Sequence, residues 1–149
     1  MATTSVEFLR HVRLFQELDD HILREIAIAA VEQSWAPGEE IVRQGDTGIG
    51  VFIVRSGKVE IIQERGGHTD KIRELGPGDV FGDMALLDEF PRSATVRALE
   101  PTTCLGITRW HFRGILVSHP QIALALLPVL TRRLRDAEAQ HQHEVAATH

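Results

Sequence analysis

The sequence predicts a single, mainly β domain with α-helices at both ends, of the sandwich or double-sheet jelly-roll class. Turn signals recur through the middle of the chain, and short segments rich in Val and Ile lie between them. Short strands at roughly 8–12-residue spacing are typical of such double sheets. Both ends instead carry apolar residues at helical spacing. The 149 residues suffice for one domain of ordinary size with its own core.

The N-terminal part, about residues 5–33, is predicted to be helical. Apolar residues near helical spacing indicate a first helix, at Val6, Leu9, Val12 and Phe15. The pair Asp19-Asp20 offers an N-cap for a second helix, because a carboxylate oxygen can accept hydrogen bonds from the free N–H groups of the first turn. Pro37-Gly38 ends the helical pattern. The apolar face of this second helix comprises Ile22, Leu23, Ile26, Ala27 and Ala30.

The middle part, about residues 34–107, is predicted to form the sheets. The turn residues Gly45, Gly57 and Gly78 are expected to have positive φ angles, which glycine adopts without steric cost. Cys104 is expected to be a small core residue on the last strand, and Trp35 is expected to anchor packing. The predicted strands are 41–42, 51–54, 59–62, 71–73, 93–98 and 103–107.

The C-terminal part, about residues 108–143, is predicted to hold two helices. Thr108 can cap the first helix, which ends at Ser118-His119. Trp110 is expected to anchor its packing, and its apolar residues are Phe112, Ile115 and Leu116. Pro120 suits the first turn of the second helix, which is expected to run to about Gln142 with a kink at Pro128.

The second C-terminal helix carries a heptad-like apolar seam. Such a seam predicts homodimerisation with a second copy of this helix. The alternative is that Leu127 and Leu130 pack on the chain's own sheets, as in any amphipathic helix. The seam consists of Ala123, Leu127, Leu130, Leu134, Ala137 and His141.

Composition excludes several classes of partner and location. The net charge is −5 and no strong basic cluster is present, which argues against direct binding of nucleic acid or anionic lipid. The longest uncharged stretch, 114–131, is interrupted by polar residues and two prolines, so a membrane span is not expected. The N-terminus lacks the apolar region of a signal peptide. A single cysteine excludes an intrachain disulfide framework, and a cytoplasmic location is expected.

Residues 81–96 combine a glycine turn, a short helix start and one arginine within a region of predicted strands. Free backbone N–H groups at a helix start attract anions, and a guanidinium can donate two parallel hydrogen bonds to a phosphate. Gly82 and Arg92 are therefore candidates for an anion site.

The chain resembles the cyclic nucleotide-binding domain family, which includes catabolite activator proteins, protein kinase A regulatory subunits and cyclic nucleotide-gated channels. Three blocks carry the resemblance, at 37–46, 52–59 and 76–96. Within the third, residues 81–96 resemble the family's phosphate-binding cassette, and we call them the cassette. The resemblance implies a β-roll, a double-stranded β-helix of the jelly-roll type, with N-terminal helices and a long C-terminal helix. It also implies a regulatory ligand, cAMP ahead of cGMP; separately, the scattered histidines lead us to expect no metal.

The resemblance assigns a role to each residue of the ligand site. Arg92 would hold the exocyclic oxygens of the cyclic phosphate, and Gly82 would let the backbone approach the ligand closely. The amides of Met84 and Ala85 would point at the phosphate from a helix start. The hydroxyl of Ser93 and the amide of Ala94 would add further donors.

Asp83 departs from the family pattern. Glutamate is usual at this position and accepts a hydrogen bond from the ribose 2′-hydroxyl, whereas aspartate reaches about 1.5 Å less far. Two interpretations remain open: a working site of altered affinity, or a site that has drifted from the usual ligand. Ser93 does not decide between adenine and guanine. Residues of the last helix usually cover the base in this family, and the candidates here are Thr131, Arg132, Arg133 and Arg135.

The chain is therefore expected to be a non-enzymatic sensor module with no catalytic residues. Nucleotide binding is expected to change the position of the C-terminal helix, and the module is expected to act on an unidentified effector protein. One alternative is a ligand-independent interaction or dimerisation module. Another is the sensory domain of a transcription regulator, although the chain ends at His149 without a helix-turn-helix segment, so a stand-alone module is expected. His141 and His143 would not share a helix face, and a metal site is not expected there.

Overall fold

The computed structural model describes residues 6–12, 15–45, 50–82, 94–124, 127–128, 131–132, 135 and 139. The helices are α1 (Val6–Arg10), α2 (Asp20–Ala29) and α3 (Arg109–Ser118). The strands are β1 (Val31–Trp35), β2 (Glu40–Val42), β3 (Gly50–Ser56), β4 (Val59–Arg65), β5 (His68–Leu75), β6 (Val80–Phe81), β7 (Thr95–Ala98) and β8 (Thr102–Thr108). The described residues of the segment after Pro120 are also helical, at 121–124, 127–128, 131–132, 135 and 139.

The strands form two four-stranded antiparallel sheets. The first sheet has the order β1-β8-β3-β6 and the second has the order β2-β7-β4-β5. In the first sheet, Ile53 of β3 pairs with Leu105 of β8 and with Val80 of β6. In the second, β4 and β5 form a hairpin that closes at the pair Arg65 and His68. This arrangement confirms the predicted mainly β, double-sheet architecture with flanking helices.

The two central strands of the first sheet, β3 and β8, are buried on both faces, and their side chains alternate between the two. On β3, Val51 and Ile53 pack against the helices, whereas Val54 faces the second sheet. On β8, Leu105 packs against the helices and Cys104 faces the second sheet. The protein thus has a helix-facing core and an inter-sheet core. The buried members of the inter-sheet core are Val54, Val59, Leu75, Phe81, Val96 and Cys104.

The helices that cover the first sheet begin at the predicted caps. Asp19 precedes α2, and its side chain accepts a hydrogen bond from the Ile22 amide at 3.0 Å. Thr108 precedes α3, and its hydroxyl accepts one from the His111 amide at 3.3 Å. Phe112, the central buried residue of α3, packs in the helix-facing core. The local capping signals therefore located both helix starts correctly.

Two features of the N-terminal part differ from the prediction. Helix α1 ends at Arg10, so it is shorter than the predicted span to Phe15, although Phe15 is buried. Strand β1 begins at Val31, where a helical region to about residue 33 was predicted. The residues of β1 are mostly exposed, so the strand has no apolar alternation. Its existence depends on backbone pairing with β8, a partner about 70 residues away in the sequence.

One further strand was missed and one prediction is corrected. Strand β6 comprises only Val80 and Phe81, which pair with β3, and two residues are too few to give a strand pattern in the sequence. Trp110 was expected to anchor packing, but 60% of its surface is exposed, and the Arg109 guanidinium lies 5.3 Å from its ring centre. An aromatic residue on the outer face of a capped helix can bind a neighbouring cation instead of entering the core.

The turn between β3 and β4 requires a glycine. Gly45, Gly57 and Gly78 all have positive φ, as predicted, but Gly57 is also tightly enclosed. A Cβ atom on Gly57 would lie 2.4 Å from the Pro101 carbonyl oxygen and 2.7 Å from the Thr102 Cα atom. Both neighbours are backbone atoms, so they cannot move aside cheaply.

We expect Gly57→Ala to lower the free energy of unfolding by about 3 kcal/mol, since it combines a left-handed backbone with a steric clash. Gly38→Ala is the matched control, because Gly38 has a φ of 89° but no atom within 4 Å of the added Cβ. The control should lose only about 1 kcal/mol. Urea denaturation of both variants measures the difference, and equal losses would contradict the steric argument.

Candidate ligand site between the sheets

The cassette connects the two sheets. Its segment 83–93 lies outside the described residues, and so do the predicted site residues Asp83, Met84, Ala85, Arg92 and Ser93. Gly82 and Ala94, at the two ends of that segment, are described. The strands that flank it, β6 and β7, contribute Phe81 and Val96 to the same inter-sheet core. Both ends of the segment are therefore held beside one buried cluster.

Gly82 lies at the end of an edge strand and has a φ of 80°. The residue before it, Phe81, pairs with Phe52 of β3, so the position at which the chain leaves the sheet is set by backbone hydrogen bonding. A φ in this range strongly favours glycine, because a Cβ atom would clash with the neighbouring backbone. The conformation of Gly82 is thus a finding of the structure, whereas its predicted close approach to a ligand stays a prediction.

Three aromatic side chains lie together beside the cassette. The Phe52 and Phe81 rings stack with their centres 5.3 Å apart and their planes 16° apart. The Trp35 indole meets Phe52 edge-on, with ring centres 6.1 Å apart. Trp35 and Phe52 are half-buried and pack on the inter-sheet core, which agrees with the predicted anchoring role of Trp35. Such stacked and edge-on pairs stabilise an apolar wall beyond the burial of their area.

An ion pair between a half-exposed arginine and a buried glutamate holds β7, the strand in which the cassette ends. Arg97 of β7 donates a hydrogen bond from Nη2 to Oε1 of Glu60 on β4, at 2.5 Å. Glu60 is only 7% exposed. A carboxylate with so little access to water requires a charged partner. Sequence analysis did not identify this pair, although a lone glutamate between Val59 and Ile61 in a strand is a signal that could have suggested one.

The start of β7 is tied to the segment after β2. The Gln44 amide donates to the Thr95 hydroxyl at 2.9 Å. The Gln44 side chain also accepts from the Glu64 amide at 2.8 Å and donates to the Glu64 carbonyl at 3.1 Å. Gln44 belongs to the first of the three family-like blocks and Thr95 to the third. The bond from Gln44 to Thr95 connects the two blocks immediately after the segment 83–93, and the bonds to Glu64 hold Gln44 against β4.

Cys104 lies in the inter-sheet core with its side chain fully buried. Burial raises the pKa of this thiol to about 12, because the thiolate form would lose its hydration. The thiol is therefore protonated at neutral pH and unreactive, since the thiolate is the nucleophile. The prediction of a small core residue is confirmed.

Comparison with known proteins identifies the family to which this chain belongs. Residues 32–119, which contain the first, second and third blocks, match the model of the cyclic nucleotide-binding domain. The chain belongs to the cyclic nucleotide-binding domain family. The mainly β double sheet with its flanking helices agrees with the fold that the sequence resemblance implied.

Relatives in this family come from distant organisms. The cyclic AMP receptor protein of Thermus thermophilus is 36% identical over 118 residues, which cover 78% of this chain and 55% of that protein. The crystal structure of the Thermus thermophilus catabolite activator protein superposes with a TM-score of 0.83 at 33% identity, covering 89% of this chain and 63% of that one.

A third relative is the regulatory domain of Toxoplasma gondii PKA, solved in complex with cAMP. It superposes with a TM-score of 0.70 at 32% identity, covering 74% of this chain and 42% of that one. The chain therefore spans about half the length of the relatives it matches. What these three have in common with it is the cyclic nucleotide-binding regulatory domain.

Among the described residues, no helix has the length and apolar character that a bilayer span requires.

Proposed function

We propose that this domain is a regulatory module that binds a cyclic nucleotide, cAMP ahead of cGMP, and catalyses no reaction on it. The observation that carries this proposal is the cassette itself: its sequence contains Gly82 and Arg92 at the family's spacing, and its two ends meet at the inter-sheet core. The free thiol of Cys104 is consistent with the cytoplasm as the compartment in which the module acts.

In the proposed complex the phosphate binds to Arg92 and to backbone amides. The guanidinium donates to the exocyclic oxygens, and the amides of Met84, Ala85 and Ala94, with the Ser93 hydroxyl, complete the set of donors. Arg92 lies three residues before β7, whose first residue bonds to Gln44. A binding group that closely precedes a fixed strand loses little entropy on binding, which supports this assignment.

The preference for cAMP rests on two relatives, the cyclic AMP receptor protein and the Toxoplasma gondii PKA domain solved with cAMP. The base would be covered by the C-terminal helix. Arg132 is exposed there, whereas the Thr131 hydroxyl donates a hydrogen bond to the Leu127 carbonyl at 2.8 Å. Among the described residues the exposed Arg132 guanidinium has no hydrogen-bond partner, which makes Arg132 the better of these two candidates for reaching the base.

We further propose that this helix pairs with a second copy and shifts on ligand binding. In its described part only Ile122 is buried, and Leu127 is 55% exposed. Exposure of Leu127 disfavours the alternative in which it packs on the chain's own sheets. A helix whose described residues are mostly exposed can change position at low cost, so a ligand that binds one position better would shift the population.

Thermal unfolding in the presence of nucleotides tests the proposed function. A ligand at 100 times its dissociation constant stabilises the native state by about 2.7 kcal/mol, so cAMP, and more weakly cGMP, should raise the melting temperature. The acyclic 5′-AMP is the matched control, because it has the same base and sugar without the cyclic phosphate. A melting temperature that neither cyclic nucleotide raises would contradict the proposal.

The residue Asp83 provides a test of the ribose contact. We expect Asp83→Glu to tighten cAMP binding by about tenfold, since the extra methylene restores the reach needed to accept the 2′-hydroxyl. The same exchange at Asp70→Glu, on the exposed face of β5, is the control and should leave the affinity unchanged. Equal affinities of Asp83→Glu and the parent chain would show that residue 83 does not contact the ribose.

The shorter Asp83 also favours a second candidate function, a ligand-independent interaction or dimerisation module that retains the fold. Partner binding through the exposed face of the C-terminal helix would then be indifferent to nucleotide. A sensory role within a longer transcription regulator is a third form of the proposal, since the Thermus thermophilus receptor extends well beyond the matched region. Unchanged dimerisation with and without cAMP, together with an unchanged melting temperature, would favour the second candidate.

A further inference from the structure

Two histidines and a glutamate converge on the face opposite the inter-sheet core. His21 and Glu25 lie one turn apart on α2, and His119 is the residue that caps the end of α3. The His119 Nε2 atom lies 2.9 Å from one Glu25 oxygen, and the His21 Nε2 atom lies 3.7 Å from the other. The two imidazole rings meet edge-on with centres 5.7 Å apart.

The spacing of these three groups fits a metal ion. One ligand atom from each residue lies within 4.8 Å of the other two. A tetrahedral zinc ion with bonds of about 2.0–2.2 Å requires ligand atoms about 3.3–3.5 Å apart. The two printed contacts end on different oxygens of Glu25, with His119 Nε2 2.9 Å from Oε2 and His21 Nε2 3.7 Å from Oε1, so a bidentate carboxylate or a small rotation of its plane would present oxygen to an ion held by both imidazoles. The His21 side chain is 71% exposed and free to rotate by the small amount required.

On its Glu25 side the cluster adjoins a groove that is open to solvent. Glu25 lines an open groove of about 540 Å³, whose other walls come from Thr108 and α3. His111 lies in the same groove, but its Nδ1 atom is 2.9 Å from the Thr108 hydroxyl, within the cap of α3. Water from the groove can therefore complete the coordination, as in three-ligand zinc sites that keep one open position.

We propose that His21, Glu25 and His119 form a binding site for a divalent cation of the zinc class. Two imidazoles and one carboxylate suit zinc, nickel or cobalt, whereas magnesium and calcium prefer oxygen ligands alone. The bound ion would clamp α2 to the junction between α3 and the helix that follows it. Because that helix is the element proposed to move, the cation would stabilise one of its positions.

The site escaped sequence analysis for a geometric reason. His119 is separated from Glu25 by 94 residues, so no spacing in the sequence connects them. The only part of the pattern visible locally is the one-turn spacing of His21 and Glu25, which many surface helices share as a weak ion pair. The cluster lies on the helical layer and contains no cassette residue.

Zinc titration of the full chain in competition with a chromophoric chelator tests the site. All proteins carry His141→Gln, His143→Gln and His149→Gln, so that the C-terminal histidines cannot bind the ion. We expect one zinc ion to bind per chain. His21→Gln and His119→Gln should each weaken zinc binding by at least about tenfold, because even the loss of a residue that only supports a metal ligand lowers metal affinity by about that factor. His68→Gln, at the exposed start of β5, is the control and should bind zinc like the parent.

The melting temperature supplies a second readout. Zinc should raise the melting temperature of the parent and of His68→Gln but not the melting temperature of His21→Gln. His21→Gln is chosen because the His21 side chain is exposed and because the hydrogen bond between His119 and Glu25 does not involve it. Equal zinc affinity of the parent and His21→Gln, or no zinc binding at all, would overturn the proposal and leave the three residues as a hydrogen-bonded clamp only.

Discussion

Replacing Arg92 by alanine is expected to weaken cAMP binding by roughly 100-fold, corresponding to about 3 kcal/mol. The reason is that the guanidinium would supply the only full positive charge within residues 81–96, and two parallel hydrogen bonds, to the anionic phosphate. Backbone amides alone attract anions much less strongly. Calorimetric titration of the parent and the variant measures the change.

Arg73→Ala is the matched control for this experiment. It removes the same charge from an exposed position on β5, so a general effect of net charge on the affinity would appear in both variants. The control should bind cAMP as the parent does. If Arg92→Ala retains the parent affinity while both proteins remain folded, the proposed phosphate contact is wrong.

Replacing Phe112 by alanine is expected to lower the free energy of unfolding by about 4 kcal/mol. Phe112 is fully buried where α3 meets α2 and the first sheet. Its removal leaves a cavity that could close only if these elements moved together. Equilibrium urea denaturation measures the loss.

Trp110→Ala, two residues earlier on the same helix, is the control. Its side chain is 60% exposed, and its replacement should change the stability by less than about 0.5 kcal/mol. This comparison tests the correction made above, since the sequence predicted a packing role for both aromatic residues. A larger loss for Trp110→Ala than for Phe112→Ala would mean that the orientation of α3 is wrong.

Features with a local physical cause were predictable from the sequence. Asp19 and Thr108 cap the helices where the sequence indicated, because a side-chain oxygen next to free amides is a short-range signal. Strands β3 and β8 were recognised by their density of Val, Ile and Leu, and Gly57 by its place between two such strands. The cassette was also recognisable from the sequence, because its residues are contiguous in the chain.

Features that depend on distant partners were not predictable. The polar strand β1 exists because β8 offers it backbone hydrogen bonds, and the two-residue strand β6 exists because β3 does. In the site, the pairing of Arg97 with Glu60 and of Gln44 with Thr95 joins residues far apart in the sequence. The cluster of His21, Glu25 and His119 is the extreme case. Tertiary structure alone brings such side chains together.

The central claim is that one cyclic nucleotide binds each copy of this domain at the cassette. Isothermal titration of the purified chain with cAMP, followed by cGMP, tests it most directly. We predict a single site per chain, with a dissociation constant well below about 1 mM and a smaller value for cAMP. Absence of binding by both nucleotides up to about 1 mM would contradict the claim.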